Sequence, residues 1–263
     1  MTERTFRLGE LFCGPGGLAL GAGLARRISK NGDTFSISHV WGVDKDKAAI
    51  ETYRHNIVKR YGGYGECMDA MKFCSSRLPD YRRITALAFG FPCNDFSSVG
   101  EWKGMRGAYG SLYKAGIKAI ERCNPYWFVA ENVSGIHHAD SGNTFRKILY
   151  ELGLSGKYGY ELTTHLYKFE LYGVPQYRHR YIIVGIRNDL NKKFRVPHPT
   201  HGEGLKPLIT VRKACESIPL NAANSELPEM NQRVILRLKF TAPWHNAWHL
   251  DKLLGMTANE RKR

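Results

Sequence analysis

Apolar residues in this chain gather into short runs separated by segments of helical spacing. The runs Phe6–Phe12, Ser36–Val43, Ala86–Phe89, Trp127–Glu131 and Tyr181–Ile186 read as strands. Between them, Ile50, Tyr53 and Ile57 recur on one helical face, and Phe145, Ile148, Leu149 and Leu152 share another. Asn143 is suited to cap that second helix and Gly153 to stop it. Strand and helix alternate through the first ~190 residues, which predicts βαβ units around a mainly parallel sheet. After about Arg195 the pattern lapses, and Pro197, Pro199, Pro207, Pro219, Pro228 and Pro243 break the chain repeatedly. The boundary therefore falls between an ordered domain, residues 1–195, and a connecting segment, residues 196–263.

The ends of the apolar runs carry the chemistry. In open α/β sheets, ligands bind at the carboxyl edge of the strands. The first run leads into Cys13-Gly14-Pro15-Gly16-Gly17, a tight turn before a helix that opens near Leu18. Glycines there allow positive φ and close approach of a ligand, and a helix amino end favours negative charge. The turn is neither a Walker loop nor a strict GxGxxG, so a structural turn and a cofactor site are about equally good readings of it alone. Asp44 ends the second run, where a carboxylate can take ribose hydroxyls, and Asp69 lies within reach of an adenine amino group.

The third run ends in Gly90-Phe91-Pro92-Cys93, which aims a cysteine from the sheet edge because proline fixes one backbone angle. Glu131-Asn132-Val133 ends the next run. Gln176-Tyr177-Arg178-His179-Arg180 precedes the last, so its alternate arginines are expected on one strand face. Gly100 to Gly110 holds four glycines with Trp102, Lys103 and Arg106, a basic loop of the kind that moves. Singly, each feature has a bland reading as a buried thiol, a cap or a solvated charge. Together they make one site: a nucleophilic cysteine, a neighbouring carboxyl, a paired arginine strand and a nucleoside-type cleft.

The ordered set Phe12-Cys13-Gly14-Pro15-Gly16-Gly17, Pro92-Cys93-Asn94-Asp95-Phe96-Ser97, Glu131-Asn132-Val133 and Gln176-Tyr177-Arg178-His179-Arg180 resembles the C5-cytosine DNA methyltransferases of bacterial restriction–modification type. The resemblance implies a doubly wound, Rossmann-like α/β domain and S-adenosylmethionine as methyl donor, with S-adenosylhomocysteine as product. It also implies double-stranded DNA as partner and a target cytosine flipped into the cleft. Carried onto this chain, Cys93 attacks cytosine C6 and Glu131 holds N3 and the exocyclic amine. Arg180 meets O2, and Arg178 supports the loop or a phosphate. Phe12, Gly14, Gly16, Gly17, Leu18, Asp44, Lys45, Asp69, Ala70, Pro92 and Leu112 line the donor site, and Asn94, Ser97, Lys103 and Arg106 face DNA. Cys13, the Asn94-Asp95 pair and Lys45 depart from the common pattern at their positions. Methylation of an RNA cytosine and a non-catalytic DNA-binding subunit are the competing functions.

Composition agrees with a polyanionic partner. The 263 residues carry 39 Lys and Arg against 24 Asp and Glu, a formal net charge of +15, which raises affinity and encounter rate for nucleic acid. The apolar share of 43% suffices for an ordinary core, and no apolar run approaches the ~20 residues of a membrane span. Six cysteines without a CxxC pair, behind a polar amino terminus, suit a reduced cytoplasmic and nucleoid setting. His245 and His249 do not complete a metal site.

The family continues with a target-recognition region and a Gly-Asn-Ser helix, and no Gly-Asn-Ser occurs here. Thr210–Ala214 resembles the connecting stretch and Arg233–Leu250 the opening of the recognition region. A truncated chain, or one chain of a split enzyme whose second chain supplies the rest, is favoured over a compact member. The isolated 263-residue chain is accordingly expected to bind donor weakly and to methylate DNA poorly. Vigorous sequence-specific methyl transfer by the purified chain alone, measured with tritiated donor, contradicts that expectation.

Overall fold

The computed structural model describes residues 2–75, 84–91, 112–137, 139–219, 221–223, 225–226, 229–242 and 245. In chain order the elements are β1 (Glu3–Leu11), α1 (Gly17–Leu24), β2 (Arg26–Ile28), β3 (Thr34–Asp44) and α2 (Lys47–Tyr53). A π-turn, Arg54–Val58, carries α2 into the short α3 (Lys59–Tyr61). Then come β4 (Tyr64–Cys67), α4 (Ala70–Ser75), β5 (Ala86–Gly90), α5 (Tyr113–Cys123), β6 (Trp127–Val133), α6 (Asn143–Leu154), β7 (Tyr160–Lys168) and β8 (His179–Arg187). Two short helices follow, α7 (Val211–Cys215) and α8 (Gln232–Phe240).

The strands form one sheet in the order β2-β3-β1-β5-β6-β8-β7, with β4 beside the carboxyl half of β3. β4, β3, β1, β5 and β6 run parallel, while β8 is antiparallel to both β6 and β7. Parallel strands must be covered on both faces, and their sequences read as continuous apolar runs for that reason. On one face Leu8, Ala86 and Ala88 pack with Phe6, Ala22, Ile37 and Trp127. Beside them Cys13, Ala19, Ile50, Tyr53 and Ile57 seal α1 against α2. On the other, Leu11, Trp41, Val43, Leu87, Phe89, Phe128, Ala130 and Ile183 meet Phe73 of α4, Ala119 and Ile120 of α5 and Ile148 and Leu152 of α6. This is the doubly wound α/β arrangement that the resemblance implies. Gly9 serves a close approach: a Cβ there would enter the Trp41 ring, and a register shift between Leu8 and Gly9 seats the indole.

Both ends predicted for α6 fall elsewhere. Gly142, at φ 81°, occupies the cap, and Asn143 is the first helical residue, accepting instead from the Arg146 guanidinium at 2.7 Å. Gly153 lies inside the helix. The stop is Ser155, whose amide and hydroxyl both donate to the Leu152 carbonyl. Three strands lie outside the predicted runs: β2, β4 and β7. All three are edge strands, β2 exposed throughout and β4 and β7 in part, and lack the unbroken apolar signature. Arg178 sits just before β8, so the two arginines do not share a strand face.

Contacts divide the chain into two compact units, Met1–Val211 and Arg212–Arg263. In the second, Asn231 caps α8 by accepting from the Val234 amide at 2.9 Å, and Leu236, Leu238 and Phe240 are exposed. No helix among the described residues is long and apolar enough to cross a membrane.

The central sheet bears the stability of the larger unit. Phe128, fully buried between Phe89 and Tyr160, is expected to lose about 3–5 kcal/mol on Phe128→Ala. Tyr150→Ala, at a residue 69% exposed on α6, should stay within about 0.5 kcal/mol in the same urea titration.

Candidate active site

The register of the parallel strands builds the site. Leu11 pairs with Val43 on one side and Phe89 on the other, and Phe89 pairs with Ala130. The next residue of each strand, Phe12, Asp44, Gly90 and Glu131, therefore falls in one row toward the carboxyl edge of the sheet.

The glycine-rich turn closes one end of this row. Phe12 takes a positive φ of 55°, Cys13 donates its amide to Val43 O at 3.1 Å, and Gly14 donates to Asp44 Oδ2 at 2.9 Å. Asp44 Oδ1 accepts from the Asp46 amide at 3.0 Å, so both carboxylate oxygens are oriented by backbone. Gly16 stands at φ 100°, and a Cβ there would lie 2.6 Å from Ile57, so the turn and the α2 packing require glycine together. Beyond Gly14 and Gly17 a Cβ would meet nothing within 4 Å, which leaves open space along the turn. Leu18 is partly exposed and Lys45 is exposed. Asp69 accepts from the Lys72 amide at 3.0 Å and so caps α4, with Ala70 buried behind it.

Glu10 is a residue the pattern reading passed over. It lies in β1 two residues before the edge row, is 1% exposed, and leaves Oε2 without a hydrogen-bond partner. Burial, reinforced by the negative charge of Asp44, pushes its carboxyl up to about 8. The signal was present: a lone acid inside the apolar run Phe6–Phe12. Burial likewise pushes the Cys13 thiol up, with Glu10 and Asp44 adding to it, so Cys13 is an inert filler of the turn.

At the other end of the row Glu131 Oε1 meets Arg180 Nε at 2.8 Å. A Cβ on Gly90 would stand 3.2 Å from Glu131 Oε2, so the strand leading to Pro92-Cys93 passes directly beside this carboxyl. The neighbouring Asn132, 2% exposed, donates its side-chain amide to Phe91 O at 3.0 Å. Its own Oδ1 accepts from the Val133 amide at 2.9 Å. Asn132 thus ties the end of β6 to the last described residue before Pro92, a role its position in Glu131-Asn132-Val133 did not reveal. Arg180 also donates to His179 O at 2.8 Å. Arg178 is exposed, and its carbonyl accepts from the Phe169 amide at 3.0 Å. Leu112, half buried, precedes α5. Pro92, Cys93, Asn94, Ser97, Lys103 and Arg106 lie outside the described residues.

Fold and edge define a doubly wound α/β domain with a nucleoside-type turn at one end and an acid–arginine pair at the other. The comparisons with known proteins carry this to a family. The family model described as C-5 cytosine-specific DNA methylase matches residues 6–262. Over 245 residues the chain is 48% identical to type II methyltransferase M.BbvI of Brevibacillus brevis, covering 92% of this chain and 65% of that protein. Over 228 residues it is 34% identical to M.NgoFVII of Neisseria gonorrhoeae, covering 85% and 56%. Among solved structures, a protein described as a DNA modification methyltransferase encoded in an E. coli prophage shares the fold at a TM-score of 0.58. Its identity is 24%, over 81% of this chain and 55% of that one. A variant of Spodoptera frugiperda DNMT2 shares it at 0.51, with 20% identity over 77% and 57%. The chain belongs to the C-5 cytosine-specific DNA methylase family, and it spans about two thirds or less of the length of these relatives.

The buried Glu10 makes stability depend on pH in a direction opposite to an ordinary paired carboxylate. Between 4.5 and about 8 the folded chain holds a proton that the unfolded chain has released. Stability therefore falls as pH rises through this window, by up to about 1.4 kcal/mol per pH unit. Glu10→Gln is expected to remove that slope, matching the parent near pH 4.5 and exceeding it above pH 8 in urea titrations.

Proposed function

We propose that this chain carries the catalytic site of a DNA (cytosine-5) methyltransferase, moving a methyl group from S-adenosylmethionine to C5 of a flipped cytosine. The observation that carries the reading is the Glu131–Arg180 pair beside Gly90, the last residue of β5, three positions before Cys93 in the sequence.

The edge residues fit the donor. Its ribose diol suits the oriented Asp44 carboxylate, and the open side of Gly14 and Gly17 gives it room. Phe12, Gly16, Leu18, Lys45, Ala70, Pro92 and Leu112 complete the proposed lining. Asp69 would turn toward an adenine amino group only by sharing the oxygens that now cap α4. Bound there, S-adenosylmethionine supplies an electrophilic methyl group.

The chain's own residues prepare the base. Cys93, as a thiolate, bonds to cytosine C6, and the displaced π electrons make C5 nucleophilic. Glu131 contacts N3 and the exocyclic amine, and Arg180 holds that carboxyl in place while offering its remaining N–H groups to O2, compensating charge that develops on the ring. Asn132 fixes the Phe91 carbonyl, two residues before Cys93 in the sequence. Once C5 has taken the methyl group, a base removes the C5 proton, the C5–C6 double bond reforms and Cys93 leaves with its electron pair. Arg178, Asn94, Ser97, Lys103 and Arg106 are assigned to the DNA backbone around the flipped nucleotide. The work site is then the nucleoid, in the cytoplasm.

Trapping with duplex DNA containing 5-fluorocytosine tests this, because fluorine at C5 blocks the final elimination. A covalent adduct is expected with the parent chain, given a companion chain bearing the remaining family motifs if it needs one, and none with Cys93→Ser. Arg180→Lys and Glu131→Gln should slow adduct formation by about 10²–10³-fold. Adduct with transfer RNA instead of duplex DNA points to the RNA substrate. No adduct under any of these conditions leaves a binding subunit.

A further inference from the structure

The arginine that holds Glu131 is itself held from behind. The turn Phe169–Tyr172 closes β7 and brings Glu170 under the first residue of β8. Glu170 is 8% exposed, and its Oε1 lies 2.7 Å from His179 Nε2. Around this contact the backbone is laced: Lys168 pairs with His179, Tyr167 pairs with Arg180, and Phe169 donates to Arg178 O. His179 then accepts from Arg180 through its carbonyl at 2.8 Å, and Arg180 reaches Glu131 at 2.8 Å. Adjacent strand residues project to opposite faces, so the imidazole and the guanidinium grip the start of β8 from its two sides.

We propose that Glu170 and His179 form a positioning clip that orients Arg180 against Glu131, acting through the His179 peptide rather than by touching the base. The inference rests on the reading of Arg180 as a base-contacting residue. An isolated buried carboxylate is expensive, and here Oε2 has no hydrogen-bond partner. Burial works against its charge, yet the hydrogen bond from His179, with amide hydrogen bonds at Glu170 and Arg178, outweighs it and holds Glu170 below the usual carboxylate range. A turn that needed only closure would be met by an apolar side chain at this depth. An acid bonded to the residue that orients Arg180 gives direction as well as closure. Without the clip, the His179 carbonyl can rotate, and the guanidinium loses the second point that fixes its plane.

The readout is the Arg180 Nε–H proton, observed by nitrogen-15 NMR of the full chain. Its bond to Glu131 should protect it from exchange with water. Glu170→Ala and His179→Ala are expected to speed that exchange about tenfold, the loss of roughly one hydrogen bond. Glu170→Gln, which keeps an acceptor for His179 Nε2, should restore most of the protection and keeps the test open if the alanine variants fail to fold. Unchanged protection in folded Glu170 and His179 variants overturns the clip. The functional reading fails separately, on Arg180→Ala forming the 5-fluorocytosine adduct at the parent rate.

Discussion

The site depends on one constraint: the register of the parallel strands at the carboxyl edge of the sheet. Phe12, Asp44, Gly90 and Glu131 belong to four different strands or strand ends, and sequence separates the first from the last by more than a hundred residues. They meet because Leu11, Val43, Phe89 and Ala130 lie in one hydrogen-bonded row. A slip of one residue in any strand would turn its core face outward and carry its edge residue out of line. The core therefore sets the site. Trp41 against Gly9 and Phe128 against Phe89 fix the register through packing, and the polar row inherits it.

The reversed strand β8 supplies what parallel strands cannot. A parallel strand delivers its end at the carboxyl edge, whereas β8 delivers its beginning. The segment Gln176–Arg180 arrives there first, and Arg180, opposite Val133, folds back on Glu131. The same direction lets the turn after β7 press Glu170 against His179. An acid from a parallel strand and a base from an antiparallel one are thereby paired without either leaving regular structure. Such elements hold functional groups more exactly than loops do.

The legible part of the chain was the part buried on both faces. β1, β3, β5, β6 and β8 appear in the sequence as apolar runs because no solvent-facing alternation interrupts them, and the helix of Ile50, Tyr53 and Ile57 is read from its buried stripe. The edge strands β2, β4 and β7 were not, since a strand paired on one side keeps polar residues. Helix ends misled for a related reason: at α6, Gly142 with its positive φ and the Ser155 hydroxyl satisfy the terminal groups that Asn143 and Gly153 were expected to serve. Motif residues announced the edge row, but their partners did not announce themselves. Glu10 reads as an interruption in a strand, Asn132 as a companion to Glu131, and Glu170 as an ordinary turn acid. Their roles come from burial and from who faces them, and both are properties of the folded chain.

Electrostatics at this edge run against those of the whole molecule. The chain carries a formal charge of +15, yet Asp44 and Glu131 stand along a single row, with the buried Glu10 two residues before it in β1. A general positive field draws a polyanion to the protein over distances of about a Debye length, ~8–10 Å at moderate salt. The acids act at contact range only. One carboxyl, Glu10, is kept from charging by its burial. Another, Glu131, is aimed by Arg180, and Asp44 is aimed by two amides. Glu10 and Asp44 would repel one another if both were ionised. The sheet gives each a different environment, and that difference lets an acidic row persist inside a basic protein.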